Sequence, residues 1–256
     1  MSIYVFDIDG TISKGGLKVH PTICNRLAML AENNQLFFAS ARPVRDMLPM
    51  LSENLHSATF IGCNGGMAWK NGKIIHSHTL KSDFVSRVLP VLKELQIPYV
   101  LDGEWNYSVS EKPHPFHDYI HSLSDHEVTE KELVFEGVTK ILILSDEHKE
   151  NILAHIKHDG VSIHAHRSDG FYDFTPQGNN KYRTLSELIG NEEYVAFGND
   201  QNDFIMLRNA QTAVFIGERE HFSGALYYAS TEYIPTLLNH LESKAAITED
   251  VVYGAS

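Results

Sequence analysis

Between Ile3 and Gly66 the sequence alternates short apolar runs with amphipathic segments, and this rhythm restricts the fold more than any other feature of the chain. "YVFD" reads as a strand. In "HPTICNRLAMLAENN" apolar residues recur at helical spacing through Ile23, Leu27 and Leu30, with Pro21 near the start. "QLFFASAR" returns to strand character, "PVRDMLPMLSENL" reads as a second helix and "ATFIGCNGG" as a third strand. A βαβαβ order predicts a parallel sheet covered by helices, with ligand-binding groups at the carboxyl ends of the strands. Asp7, Ser40 and Asn64 fall at such ends.

The rhythm then changes. Asn71-Gly72 separates two alternating runs in "MAWKNGKIIHSHTL", which predicts a hairpin. From about Lys81 to Thr175 the order is a helix, "SDFVSRVLPVLKEL", short strands around "YVLDGEWNYSVS", and an irregular histidine-rich stretch. "VTKILILS", a helix "DEHKENILAHI" and strands "VSIHAHRS" and "GFYDFTP" follow, together predicting a compact α+β unit. The first rhythm resumes with helix "KYRTLSELI", strand "EYVAFG", helix "QNDFIMLRNA" and strand "TAVFI". The expected plan is an α/β core of residues 1–79 and 176–256, interrupted by an inserted cap of residues 80–175.

Composition narrows the partners. With 256 residues, 43% hydrophobic and 21% charged, the chain has material for a large core. A formal net charge of -12 steers it away from nucleic acid and anionic membrane surfaces. No apolar run reaches the ~20 residues of a bilayer span. Cys24 and Cys63 are the two cysteines, and the start "MSIYVF" lacks a basic leader, so a reducing, cytoplasmic protein is expected, as monomer or small homo-oligomer. Among the 15 histidines, the pairs His114/His117 and His164/His166 lack neighbouring cysteines or an HExxH pattern and read as surface or cap-facing groups.

Four short stretches carry chemistry. In "DIDGT", strand alternation leans Asp7 and Asp9 toward one side, an arrangement that costs energy unless a cation lies between them. Gly10 lets backbone amides approach an anion, and Thr11 adds a hydroxyl. A metal-binding DxD of the glycosyltransferase kind, or a merely polar strand end, fits this position less well. Ser40, with the amide of Ala41, offers phosphate donors, although a serine at a strand end is also ordinary turn chemistry. Lys181, opening a late helix, is either a solvated charge or a phosphate-binding point charge. The cluster Gly198, Asn199, Asp200, Gln201, Asn202 and Asp203 follows a strand and supplies hard oxygen ligands suited to magnesium, one of which serves as a helix cap.

In this order the motifs resemble those of the haloacid dehalogenase-like phosphohydrolases, whose hallmarks are DxDGT, a Ser or Thr after the second strand, a Lys, and an acidic motif written GDxxND. The resemblance covers nearly the whole chain. The long insertion between Ser40 and Lys181, with "NGG" and "NGKIIH" before it, is similar to that of the Cof-like subfamily. The resemblance implies a Rossmann-like parallel-sheet core with an inserted α+β cap. It also implies a magnesium-dependent phosphatase acting on small phosphorylated metabolites, sugar phosphates first, through an aspartyl-phosphate intermediate. By the same resemblance Asp7 is the nucleophile and Asp9 the acid and base. Thr11, Ser40, Ala41, Lys181 and Asn202 would bind the phosphoryl group, and Asp7, Asp9 through its carbonyl, Asn199 and Asp203 would hold Mg2+.

The chain departs from the pattern where Gly198-Asn199 replaces Gly-Asp. Asn199 as direct ligand supported by Asp203 is the expected resolution, with Asp200 in a shifted register as the alternative. Asp102, Glu104, Trp105, Tyr107, His164, His166 and Tyr172 are candidates to read the leaving group. A phosphomutase using the same Asp7 and a non-catalytic binder of phosphorylated ligands are the rival functions.

Overall fold

In the computed structural model, residues 1–155, 160–165, 170–243 and 251–253 are described. The strands are β1 (Ile3–Asp7), β2 (Gln35–Ala39), β3 (Thr59–Gly62), β4 (Met67–Lys70), β5 (Lys73–Ser77), β6 (Tyr99–Asp102) and β7 (Tyr107–Val109). They continue with β8 (Lys140–Ile143), β9 (Val161–Ala165), β10 (Tyr172–Pro176), β11 (Tyr194–Gly198), β12 (Thr212–Ile216), β13 (Tyr227–Ala229) and β14 (Val251–Tyr253). The helices are α1 (Pro21–Ala31), α2 (Val44–Met47), α3 (Ser82–Glu94), α4 (Pro115–Leu123), α5 (Glu130–Glu136), α6 (Lys149–His155), α7 (Lys181–Ile189), α8 (Phe204–Arg208) and α9 (Ile234–Glu242).

The larger sheet runs β14-β13-β12-β11-β1-β2-β3-β4-β5. It is parallel from β14 to β3 and ends in the antiparallel pair β4 and β5. Every residue of β1 is buried because helices cover both faces of the sheet. On one face Phe6, Phe38 and Phe197 pack with Leu27 of α1 and Leu237 of α9. On the other, Val5, Phe37 and Ala196 meet Leu185 of α7 and Met206 of α8. Strand order reverses beside β1, since β2 and β3 extend to one side and β11, β12 and β13 to the other. A crevice therefore opens beyond the carboxyl end of β1.

The hairpin forms as expected, with Asn71 and Gly72 both at positive φ, 50° and 80°. The expected helix over "PVRDMLPMLSENL" does not form as one piece. It is α2 followed by 3-10 turns at Leu48–Met50 and Glu53–Leu55. Pro49 lacks the donor and the ring clearance that a continuing helix requires.

The smaller sheet, β7-β6-β8-β10-β9, is antiparallel. Phe84 and Val88 of α3, Leu133 of α5 and Ile152 of α6 cover one face, over Ile141 and Phe174. On the opposite face α4 lays Ile120 against Val100 and Leu142. The histidine-rich stretch that reads as irregular contains α4, capped by His114 accepting from Phe116 N at 3.1 Å. Just beyond it lies α5, opened by a Thr129/Glu132 capping box. The two sheets draw their strands from separate stretches of chain, 3–77 with 194–253 and 99–176. The chain passes between them at 78–81 and 177–180. Among the described residues no helix is long and apolar enough to cross a membrane.

Candidate active site

Asp7 is the last residue of β1 and is buried; Asp9 lies beyond the strand in the following turn, where it bridges to Ser13. The two carboxylates reach one cavity through the turn rather than through strand alternation. Gly10 has φ +82, and a Cβ there would collide with the Asn199 side chain, so glycine is required twice over. Thr11 donates to Asp7 Oδ2 at 2.7 Å.

Lys181 opens α7 and is 1% exposed, with Nζ 2.5 Å from Asp7 Oδ1 and 2.7 Å from Asp203 Oδ1. A cation at a helix N-terminus is unfavourable to the helix dipole. Tertiary carboxylates offset that cost. The exit loop of β3 fixes this helix end: Thr184 donates to the Gly65 carbonyl at 2.7 Å, and a Cβ on Gly65, at φ +92, would strike the Asn180 backbone. Burial, then the Asp203 charge, push the Asp7 carboxyl up to about 7, against the pull of Lys181 and Thr11. Burial lowers the Lys181 ammonium, but Asp203 and Asp7 raise it further, so it stays charged. When Asp7 is ionised, two buried carboxylates face one buried ammonium, a deficit of positive charge at the end of β1.

The loop after β11 divides its labour. Asp203 is fully buried, and its Oδ2 accepts from the amides of Asn199 at 3.0 Å and Asp200 at 3.2 Å, while Oδ1 receives Lys181. Asp203 therefore shapes the loop from behind. Asp200 caps the 3-10 turn Gln201–Asp203, accepting from Gln201 N at 2.7 Å. Asn202 donates to Asn64 Oδ1 at 3.3 Å and lines the cavity. The inner end of the Asn199 amide lies 3.1 Å from Asp7 Oδ2, 3.0 Å from Thr11 Oγ1 and 3.0 Å from the Asp9 carbonyl oxygen. Neighbouring oxygens around an octahedral Mg2+ at about 2.1 Å lie about 3 Å apart. With the amide oxygen turned inward, Asn199 lies at that spacing from both Asp7 and Asp9 O, and the charge deficit has the matching sign. These residues fit a divalent cation.

Ser40, after β2, accepts from Arg42 N at 3.1 Å, which leaves its own hydroxyl proton for another acceptor. Ala41 lines the same cavity, and its carbonyl accepts from Lys140 Nζ at 3.1 Å. Arg42 clasps Asp9 with Nε at 2.7 Å and an Nη at 2.9 Å, and its other Nη donates to Tyr119 Oη at 2.7 Å. Sequence reasoning overlooked Arg42, although an arginine two residues after a strand-end serine, in a chain with a carboxylate pair, is a readable signal.

The cavity, about 850 Å3, lies between the two sheets and is lined by Asp7, Asp9, Ser40, Arg42, Asn199 and Asn202 from the core. Of the candidate leaving-group readers, Asp102 lines it. Glu104 is exposed, and Trp105 stacks near Trp69 at 6.4 Å. Tyr107 lies under Arg45, His164 meets Thr175 Oγ1 at 3.0 Å, and Tyr172 is buried beneath Lys149. These five do not line the cavity, and His166 lies outside the described residues. The smaller sheet and its helices contribute Phe116 and Tyr119 from α4, Lys140 from β8 and Phe171 from just before β10, a set that no local spacing joins because it spans three places in the chain.

Residues 4–221 match a protein-family model described as haloacid dehalogenase-like hydrolase. No curated protein matches the sequence significantly. Among solved structures, the subclass IIB sugar phosphatase BT4131 is 22% identical, with 94% of this chain and 99% of that chain covered and a TM-score of 0.73. TM0651 from Thermotoga maritima is 20% identical over 96% and 98% of the two chains, with a TM-score of 0.78. A haloacid dehalogenase-like hydrolase from Bacteroides thetaiotaomicron is 17% identical over 94% and 99%, with a TM-score of 0.81. At these identities the likeness is one of fold, a parallel-sheet core carrying a cap.

Proposed function

The chain belongs to the haloacid dehalogenase-like hydrolases, and we propose that it is a magnesium-dependent phosphatase hydrolysing small phosphorylated metabolites through an aspartyl-phosphate on Asp7. The observation that carries this reading is the convergence of Asp7, Lys181, Asp203 and Asn199 at the end of β1, with Asp9 and Ser40 in the same cavity.

In the first half-reaction a carboxylate oxygen of Asp7 attacks phosphorus as the bond from phosphorus to the leaving oxygen breaks. Asp9 gives that oxygen its proton, so the alcohol departs neutral. In the second, Asp9 takes a proton from water as the water oxygen attacks phosphorus, releasing inorganic phosphate and free Asp7. Lys181 and the Ser40 hydroxyl stabilise charge on the transferring group, with Thr11, the Ala41 amide and Asn202 beside them. Asp7, the Asp9 carbonyl and Asn199 are the residues to hold Mg2+, and Asp203 positions their loop. When bound there, the cation would supply positive charge to neutralise the phosphoryl oxygens. The buried thiols Cys24 and Cys63 suit a reducing, cytoplasmic setting.

Inorganic phosphate release from a panel of phosphomonoesters, including sugar phosphates, tests the reading with Asp7→Asn alongside. Turnover is expected in the wild type and loss of it in a variant with unchanged circular dichroism. Substantial turnover by folded Asp7→Asn rejects the nucleophile. Phosphorylated product without free phosphate indicates a mutase.

A further inference from the structure

The cap side of the cavity carries two unlike surfaces. β6 and β8 pair so that Val100 opposes Leu142 and Asp102 opposes Lys140, and all four residues line the cavity. Of these two rungs on one face of the sheet, the first is apolar and the second charged. Beside them stand Phe116, Tyr119 and Phe171, all only half-buried. The Phe116 ring lies 5.6 Å from Phe171 at 77° and 5.5 Å from Tyr119 at 46°. The chemistry at Asp7 uses none of these three rings.

The charged rung has little capacity left for a ligand. Asp102 pairs with Arg45 and with Lys140 at 3.0 Å, while Lys140 also donates to the Ala41 carbonyl. These contacts tie the cap to the core. Asp46 is likewise engaged: it is 2% exposed, and its Oδ1 lies against Arg45 Nε at 3.3 Å. A polyhydroxylated leaving group would press hydroxyls against Val100, Leu142, Phe116 and Phe171, which offer neither donor nor acceptor in their side chains, and unpaired hydroxyls are costly to desolvate. A flat ring suits offset or edge-to-face contact with the three aromatics.

We infer that the cavity selects phosphomonoesters whose leaving group is a planar aromatic or heteroaromatic ring, Phe116, Tyr119 and Phe171 forming its platform. The inference rests on the phosphatase reading and deepens it, moving the preferred substrate away from sugar phosphates. Three primary phosphate esters test it with magnesium present: benzyl phosphate, cyclohexylmethyl phosphate and a hexose 6-phosphate. Benzyl phosphate is expected to exceed the hexose ester in kcat/KM by about tenfold or more, with the non-planar cyclohexyl ester between them. Phe171→Ala and Phe116→Ala should each narrow that ratio several-fold. Equal or better hydrolysis of the hexose ester, or an unchanged ratio in both variants, overturns the inference. If no ester turns over, the phosphatase reading fails by itself, and calorimetry still decides the ring site. Benzylphosphonate should then bind about tenfold tighter than methylphosphonate, and equal affinity refutes the platform.

Discussion

Asp9 is 37% exposed at its side chain and held by Nε and one Nη of Arg42, so its role differs in kind from that of buried Asp7. Asp9→Asn keeps the backbone carbonyl beside Asn199 but removes the transferable proton. A loss of ~10²–10⁴-fold is expected for alkyl phosphates. With a nitrophenyl ester, whose leaving group needs no protonation, part of the first-step defect disappears; equal rates for wild type and variant on both esters would remove Asp9 from the mechanism. Asn199 carries the second expectation at this scale. Placing a charge among oxygens spaced for a cation, Asn199→Asp should tighten magnesium binding, on the order of tenfold in calorimetry (about 1.4 kcal/mol). Asp200→Asn should change it little, because Asp200 is engaged as a cap, and Asp203→Asn should loosen it through the loop. A collapse of metal affinity in Asp200→Asn alone would establish the shifted register. The sequence shows the identity of these groups; that Asp203 faces Lys181 and two amides, while Asn199 faces Asp7, depends on a loop only the fold closes.

At the scale of elements, α2 meets β6 and β8 through charge. Arg45 lies over the Tyr107 ring at 4.8 Å, pairs with Asp102, and donates at 3.3 Å to the carbonyls of Trp105 and Asn106. Removing one partner of such a buried network strands the others, so Asp102→Asn should cost ~3–5 kcal/mol in urea unfolding. Burial alone would raise the Asp102 carboxyl, but Lys140 and Arg45 overcome it and hold the group below its ordinary range. A carboxyl depressed by folding contributes stability that is complete above the unfolded value, about 3.9, and is lost as pH falls through the folded one. Wild-type stability should therefore decline below about pH 4, and Asp102→Asn should show a shallower acid limb; identical limbs would place the acid sensitivity elsewhere. Periodicity made β1, β2, β3, α3, α7 and β12 legible. It could not show α4, whose apolar face becomes meaningful only once Val100 and Leu142 are beneath Ile120.

For the whole molecule, an inserted cap of residues 80–175 predicts where the chain yields first. Thr79, Gln177 and Gly178 are exposed on the two passages between the sheets. Brief digestion with a non-specific protease should nick near 78–81 and 177–180 before cutting within either sheet, because those exposed passages lie outside the paired strands. Mass spectrometry of the fragments checks this, and early cuts inside β1 or β8 would contradict the two-unit plan. Legible in the sequence were the strands β1 to β3, the β4–β5 hairpin, the run from α7 to β12, and the residue types at the carboxyl ends of β1, β2 and β11. Those features follow from local periodicity and turn chemistry, which a chain carries in its neighbouring residues. The folded molecule alone shows that Arg42 clasps Asp9, that Tyr119 reaches Arg42, and that Phe116, Phe171 and the Asp102–Lys140 rung line the same cavity as Asp7. Such pairings join residues far apart in the chain, and their energies depend on burial, distance and approach angle, which exist only when the two sheets are brought together.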